Sequence, residues 1–265
     1  VLCNQELKFG RLLAQARALG ADEVATGHHA RIDPEGEGGR PVLRRGHDRR
    51  KDQSYFLFAL REDQLRAART PIGGMTKDEV RARAAELGLP NAERPGSRDA
   101  CLKSIDGSFA EALRELFGGP SRPGRIVDRE GRELGRHRGC HRFTVGQRHR
   151  IGVALGRRAY VVEIRPERDE VVVGGFEDLE CDGLTAVGVR WLVEPPAGPL
   201  HVVVQTRYHM PVVEAEVRPT AGQGAEVIFA RRAAGVAPGQ AVVFYDGDRV
   251  LGGGWIERRV VGWRG

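Results

Sequence analysis

Two cysteines set among polar residues are the side chains best suited to covalent chemistry. Cys3 lies in Val1-Leu-Cys-Asn-Gln-Glu-Leu-Lys-Phe9, and Cys101 in Gly96-Ser-Arg-Asp-Ala-Cys-Leu-Lys103. The thiolate is the form that attacks an electrophile or carries a sulfur atom, and cationic, amide-rich surroundings favour it. A free cysteine is also commonly just a small buried hydrophobe, so the pair needs support from the rest of the chain. The remaining cysteines, Cys140 and Cys181, form no C-x-x-C pair, and four scattered cysteines are too few for a disulfide framework. Both are read as structural. The eight histidines are dispersed, and the adjacent His28 and His29 lack i, i+4 ligand spacing, so no metal site is expected. Cations gather in Arg44-Arg-Gly-His-Asp-Arg-Arg-Lys-Asp-Gln53, ahead of Ser-Tyr-Phe-Leu-Phe58, and in the glycine-punctuated Phe143-Thr-Val-Gly-Gln-Arg-His-Arg-Ile-Gly152. The first could clamp a phosphate backbone or be a solvated loop. The second matches neither a Walker loop nor a dinucleotide fingerprint.

The elements that must position these groups follow from periodicity. Leu7, Leu12, Leu13, Ala16 and Leu19 predict an amphipathic helix over residues 4 to 19, stopped by Gly20. Glu23-Val-Ala-Thr26 predicts a short strand ending at Gly27-His28, an α/β unit whose ligand edge is the carboxyl end of the strand. Ala30-Arg-Ile and Pro41-Val-Leu-Arg read as a hairpin, and Thr76-Lys-Asp-Glu79 as a capping box opening a helix that Gly88 ends. The break between Pro90 and Pro95 is a candidate boundary, which puts Cys101 on a connecting segment. Arg125 to Gly135 reads as a second hairpin. After Tyr160 the chain becomes a series of short alternating runs at 160–164, 170–173, 200–206, 212–217, 225–229, 241–245 and 250–256, the pattern of a small barrel or sandwich.

Composition bounds the class. A chain of 265 residues with 40% apolar content suits two or three compact units. A net charge of +6, dominated by arginine, permits a polyanionic partner. No run approaches the roughly eighteen apolar residues of a membrane span and no signal pattern opens the chain, so a cytoplasmic protein without a membrane partner is expected.

Seven segments in one order resemble the tRNA-specific 2-thiouridylases, the MnmA family. They are Val-Leu-Cys-Asn-x-Glu-x-Lys-Phe (1 to 9), Leu-Gly-Ala-Asp-x-Val-Ala-Thr-Gly-His (19 to 28), Lys-Asp-Gln-Ser-Tyr-Phe-Leu (51 to 57), Phe-Thr-Val-Gly-Gln-Arg (143 to 148), Thr-Arg-Tyr (206 to 208), Pro-Gly-Gln-x-x-Val-Phe-Tyr (238 to 245) and Leu-Gly-Gly-Gly-x-Ile (251 to 256). The resemblance implies an α/β plus β architecture. Residues 1–95 would be the C-terminal part of a PP-loop nucleotide-binding domain, of the adenine nucleotide alpha hydrolase-like Rossmann type. Residues 96–165 would form a small central tRNA-binding domain with the persulfide cysteine, and 166–265 a C-terminal β-barrel. The implied reaction is ATP-dependent adenylation of the wobble-uridine C2 oxygen of tRNA and its replacement by sulfur, giving 2-thiouridine and AMP. Cys101 would carry the persulfide and Cys3 would act as nucleophile on it, releasing sulfur or forming a transient disulfide. Gly27 would contact ATP, used with Mg2+. His28, Lys51, Asp52, Gln53, Arg207, Tyr208 and Gln240 would contact tRNA. Partners implied are tRNAs with wobble-uridine anticodons of the Lys, Glu and Gln types, and a sulfur-relay or cysteine desulfurase protein as donor.

Two departures from the family pattern qualify these expectations. The Ser-Gly-Gly-x-Asp-Ser phosphate loop does not occur in the sequence, so the chain is expected to be truncated at its N-terminus and inactive alone, the activity belonging to the intact parent. Around Cys101 the family's Ser-x-x-Ile-Cys-Phe-Ile is replaced by Ser97-Arg-Asp-Ala-Cys-Leu-Lys103. The alternative is a catalytically degenerate tRNA-binding protein of the same descent.

Overall fold

The computed structural model describes residues 1–90, 92, 122–153, 156 and 158–262. The chain folds as two units. One comprises Val1–Arg94, Asp182–Arg231 and Pro238–Gly265, the other Pro95–Cys181 and Arg232–Ala237.

The first unit opens on a π-helix over Cys3–Arg11 that continues as α1, Leu12–Ala18. This corrects the expected single helical face. The wider π turn aligns Asn4, Phe9 and Leu13, which are buried, whereas Leu7, Leu12 and Leu19 are exposed. The widened turn has an identifiable support, since Gln64 donates through Nε2 to Gln5 O at 2.8 Å and Phe9 O at 2.9 Å. Strand β1, Val24–Ala25, follows and pairs in parallel with β4, Ala68–Arg69. This is the expected α/β unit, with Gly27 and His28 just past the carboxyl end of β1. Between them, β2 (Ala30–Asp33) and β3 (Val42–Arg45) form the expected antiparallel hairpin. The aromatic run forms a 3-10 turn, Ser54–Phe56, and is followed by α2 over Glu62–Ala67. The capping box at Thr76 holds as expected. Glu79 N donates to Thr76 Oγ1, Thr76 N donates to Glu79 Oε2 at 2.7 Å, and α3 runs over Lys77–Glu86.

In the second unit, β5 (Gly124–Val127) and β6 (Glu133–His137) form the second hairpin, and β7 (Tyr160–Arg165) pairs with β8 (Glu170–Gly174). The sheet order is β6-β5-β8-β7, with β5 and β8 parallel. Alternation divides its residues between two cores: Val127, Val162 and Val172 belong to one, and Ile126, Val161, Val171 and Val173 to the other.

The remaining strands are β9 (Cys181–Trp191), β10 (Leu200–Gln205), β11 (Val213–Thr220), β12 (Gly224–Ala233), β13 (Ala241–Asp246) and β14 (Arg249–Val260). They close in the order β13-β10-β11-β12-β9-β14, with β14 returning to β13. Closure pairs each strand of this six-stranded ring with two neighbours, which removes the open edges that invite aggregation from the ring itself. The Leu251-Gly-Gly-Gly254 run is a place of close backbone approach. A Cβ on Gly253 would lie 2.5 Å from Val242 O and 2.7 Å from Phe58 Cδ2. Outside the closed ring, β14 also pairs with β3 at Arg249 and Arg44, so the N-terminal hairpin extends the barrel sheet. A single core reflects this, with Phe9, Leu13, Leu43, Tyr55, Phe58 and Leu65 packed together with Ala241, Val243, Tyr245 and Val250.

Candidate functional site

The basic loop after β3 is organised by a buried carboxylate. Asp52 Oδ1 accepts from Gly46 N at 2.9 Å and Ser54 N at 3.0 Å. Its Oδ2 accepts from Ser54 Oγ at 3.0 Å and pairs with Arg45 Nη1 at 3.2 Å. Arg45 in turn lies 3.5 Å over the Tyr245 ring. From Ser54 the network continues to the Tyr245 hydroxyl at 3.4 Å, then to Gln205 Oε1 at 3.3 Å. Gln205 Nε2 ends it by donating to Met210 O at 3.3 Å. The loop carrying Lys51 and Gln53 is thereby tied through the barrel wall to the turn Arg207–Met210, where Met210 N donates to Arg207 O and His209 takes a left-handed φ of 62°. Burial pushes the Tyr245 hydroxyl far above its ordinary range and that of Tyr55 up to about 12, so both remain protonated donors.

Aromatic rings cover this network. Tyr208 sits 4.4 Å from Phe56 and 6.2 Å from Tyr55, with His209 at 3.9 Å. Tyr208 is half-buried. The Tyr55 hydroxyl donates to Ala241 O at 2.8 Å, which brings the segment after Gln240 to the same cluster. Phe56 O accepts from Asn4 Nδ2 at 3.3 Å, which anchors the start of the π-helix and leaves Cys3, one residue earlier, exposed. Phe9 of that helix lies 6.1 Å from the His28 ring.

His28 is buried, bonded through Nδ1 to Thr26 Oγ1 at 2.8 Å, and burial followed by the nearby Lys8 charge pushes its pKa down to about 4. It is a neutral imidazole at neutral pH. His29 is also held below its ordinary value, chiefly by burial, and its Nδ1 is buried without a hydrogen-bond partner. Its backbone pins the loop: His29 N donates to Gln53 Oε1 at 3.0 Å and Gln53 N to His29 O at 2.8 Å. Gly27 is exposed, and a Cβ there would meet only Ile72 Cδ1 at 3.9 Å.

Three family models match in chain order: a tRNA methyl transferase HUP domain over residues 1–104, a tRNA methyl transferase PRC-barrel domain over 117–175 and an aminomethyltransferase beta-barrel domain over 181–256. Similar proteins include the tRNA-specific 2-thiouridylase MnmA of Geotalea uraniireducens, 46% identical over 260 residues, which span 98% of this chain and 69% of that one. That of Synechococcus sp. (strain ATCC 27144) is 44% identical over 97% of this chain and 72% of its own length. That of Geobacter metallireducens is 46% identical over 97% and 69%. The chain belongs to the tRNA-specific 2-thiouridylase family.

Set against the 2-thiouridylase motifs, the structure links the segments that carry His28, Asp52, Gln53 and Tyr208 through the contacts above; Cys3 precedes the bonded Asn4, Arg207 precedes Tyr208, and Gln240 precedes Ala241. Gly27 borders the cluster, and Lys51 is exposed at the loop surface. Asp52 is buried and its carboxylate is occupied within the protein, whereas Arg207 and Tyr208 are partly accessible. Cys101 lies outside the described residues. Sequence reasoning passed over Arg45, Ser54, Gln205 and Tyr245, the members that join the two loops. Ser54 and Tyr245 do fall inside family motifs, and those motif positions are the only sequence signal they carry. Cys140 and Cys181 fit a packing role: Cys181 Sγ lies 3.5 Å from Ala233 O, and burial raises the Cys140 thiol above its ordinary value. Among the described residues no group of three or more His, Cys, Asp or Glu could hold a metal ion, and no helix is long and apolar enough to cross a membrane.

Proposed function

We propose that the protein thiolates tRNA, replacing the C2 oxygen of the wobble uridine by sulfur to give 2-thiouridine and AMP. The observation that carries this reading is the hydrogen-bond network from Asp52 through Ser54, Tyr245 and Gln205 to the Arg207–Met210 turn, with the helix start that bears the exposed Cys3 anchored by Asn4 to Phe56 O. It provides a rigid platform with cations and a half-exposed aromatic ring, the surroundings in which an unstacked anticodon base is held. The C2 oxygen of uridine is a poor leaving group, and its adenylation by ATP, with pyrophosphate as the group displaced, lets it depart as AMP. Gly27 leaves the strand edge open to the nucleotide. His28, neutral and fixed by Thr26, presents an imidazole without adding charge.

In this reading Cys101 carries a persulfide received from a donor protein, and its outer sulfur forms the bond to C2. Cys3 then attacks the inner sulfur of Cys101, freeing the transferred atom and leaving a disulfide that a thiol reductant reopens. Lys51, Arg207 and Gln240 hold the anticodon loop, while Asp52 and Gln53 fix the loop that presents Lys51. The test uses the full-length parent with unmodified tRNA, ATP, Mg2+ and a persulfide donor. Retardation of the tRNA on a mercury-containing gel reports thiolation. Cys3→Ser and Cys101→Ser are each expected to reduce it by at least about a hundredfold with tRNA affinity retained, and Cys101 alone is expected to gain a +32 Da adduct from the donor. If both serine variants thiolate normally, the cysteine assignment is wrong.

A further inference from the structure

The basic loop after β3 is shaped from two sides. From within, the buried Asp48 fixes its backbone: Oδ1 accepts from Arg50 N at 3.0 Å, Oδ2 from Lys77 N at 3.2 Å, and the carbonyl from Lys51 N at 3.0 Å. From outside comes a carboxylate 199 positions away from Arg49. Asp248 is the second residue of the two-residue turn between β13 and β14, entered through Gly247 at a left-handed φ of 52°. Its Oδ1 accepts from Arg49 Nη2 and its Oδ2 from Arg31 Nη2 at 2.7 Å, while its carbonyl accepts from Arg45 N at 2.8 Å. Arg31 Nε donates in turn to Arg45 O at 2.9 Å, which closes a ring through Asp248, Arg45 and Arg31.

Neither stability nor charge explains this carboxylate. The side chains of Asp248, Arg31 and Arg49 are 39%, 40% and 50% exposed, and ion pairs so open to solvent add little to stability. The hydrogen bond from Arg49, ahead of every other cause, holds the Asp248 carboxyl below its ordinary range, so it is ionised at neutral pH. A negative charge among cations that meet a polyanion by itself weakens binding. Its useful effect is therefore geometric. An unrestrained arginine side chain has many rotamers, and fixing one on binding costs affinity that prior tethering avoids. A guanidinium carries five N–H donors, so the edge held by a carboxylate leaves another to a phosphate oxygen.

We propose that Asp248 is a positioning residue for tRNA: it holds the Arg49 guanidinium, two residues before the exposed Lys51, in the pose that meets the RNA backbone. The inference rests on the thiolation reading above and adds to it a residue that touches no substrate. Glu37 provides the comparison within the same molecule. It bridges Arg44 at 2.9 Å and Arg249 at 2.7 Å, so its removal also releases two guanidiniums and one negative charge, but neither arginine belongs to the loop over residues 46–53. Charge alone predicts tighter tRNA binding when either acid is removed. Positioning predicts the opposite sign for Asp248 only.

The test follows steady-state thiolation by the full-length parent with unmodified tRNA, ATP, Mg2+ and a persulfide donor, alongside equilibrium tRNA binding. Asp248→Ala is expected to raise the tRNA KM and Kd about fivefold, with kcat and melting temperature near wild type. Glu37→Ala is expected to bind tRNA as well as the wild type or slightly more tightly. In an Arg49→Ala background, Asp248→Ala is expected to carry no penalty, because the guanidinium it would release is absent. A KM for Asp248→Ala at or below the wild-type value overturns the proposal. So does an equal rise for Glu37→Ala, a penalty that persists without Arg49, or a fall in kcat or melting temperature with KM unchanged. Each of these leaves the thiolation reading standing. If the wild type neither binds nor thiolates tRNA, that reading falls and the role of Asp248 falls with it.

Discussion

At the scale of single residues, chemistry and architecture divide between neighbours. Asp52 matches a substrate-contacting position by motif, but its oxygens already hold Gly46, Ser54 and Arg45. Asp52→Ala would strand a largely buried guanidinium and two backbone donors, and is expected to cost about 3 kcal/mol in denaturant unfolding. A loss of tRNA affinity at unchanged stability would instead make Asp52 a direct contact. Tyr208 should behave the other way. Tyr208→Ala is expected to weaken tRNA binding by about 1–3 kcal/mol, the worth of one base stack, while Tyr208→Phe retains most of it. His28 sets a pH dependence of stability. The unfolded chain takes up its proton near 6.5 and the folded one only near 4, so stability is full above pH 6.5 and falls as the pH drops toward 4. Denaturation midpoints at pH 7 and pH 5 should differ less in His28→Gln than in the wild type, the remainder including His29 and His137, which burial shifts in the same direction.

At the scale of elements, local signals were legible and distant partners were not. The Thr76 capping box and the hairpin of β2 and β3 are written in neighbouring residues, and both formed as read. The face of the first helix was misjudged because Leu7, Leu12 and Leu19 fit a 3.6-residue period, whereas Gln64, from another element, supports a wider turn. Strand β9 escaped notice because Gly183 and Gly188 break its alternation. Tyr245 and Gln205 carry no local mark, since the partners that make them matter are 191 and 40 positions away. The glycine run of β14 was visible as a motif, and the structure supplies its reason. Gly253→Ala would press a methyl against Val242 O and Phe58, and is expected to lower stability by about 2 kcal/mol in chemical denaturation without altering the cysteine chemistry.

At the scale of the molecule, the N-terminal stretch and the barrel form one folding unit although a family boundary falls between them. Their core residues are shared, and β3 adds to the barrel sheet at Arg249. A fragment limited to residues 181–262 would expose Ala241, Val243 and Val250 without Phe58 and Leu65 to cover them. It is expected to lack a cooperative unfolding transition and to bind a hydrophobic dye, whereas the longer chain melts cooperatively. The extension of the barrel sheet by a hairpin more than 130 residues upstream also bears on how such proteins can recombine. Crossovers that bring a barrel from one lineage to a leading segment from another inherit two halves of a core never selected together. An exchange confined to the interior four-stranded unit leaves that joint ancestry untouched, so chimeras should survive far more often when the middle is traded than when the tail is.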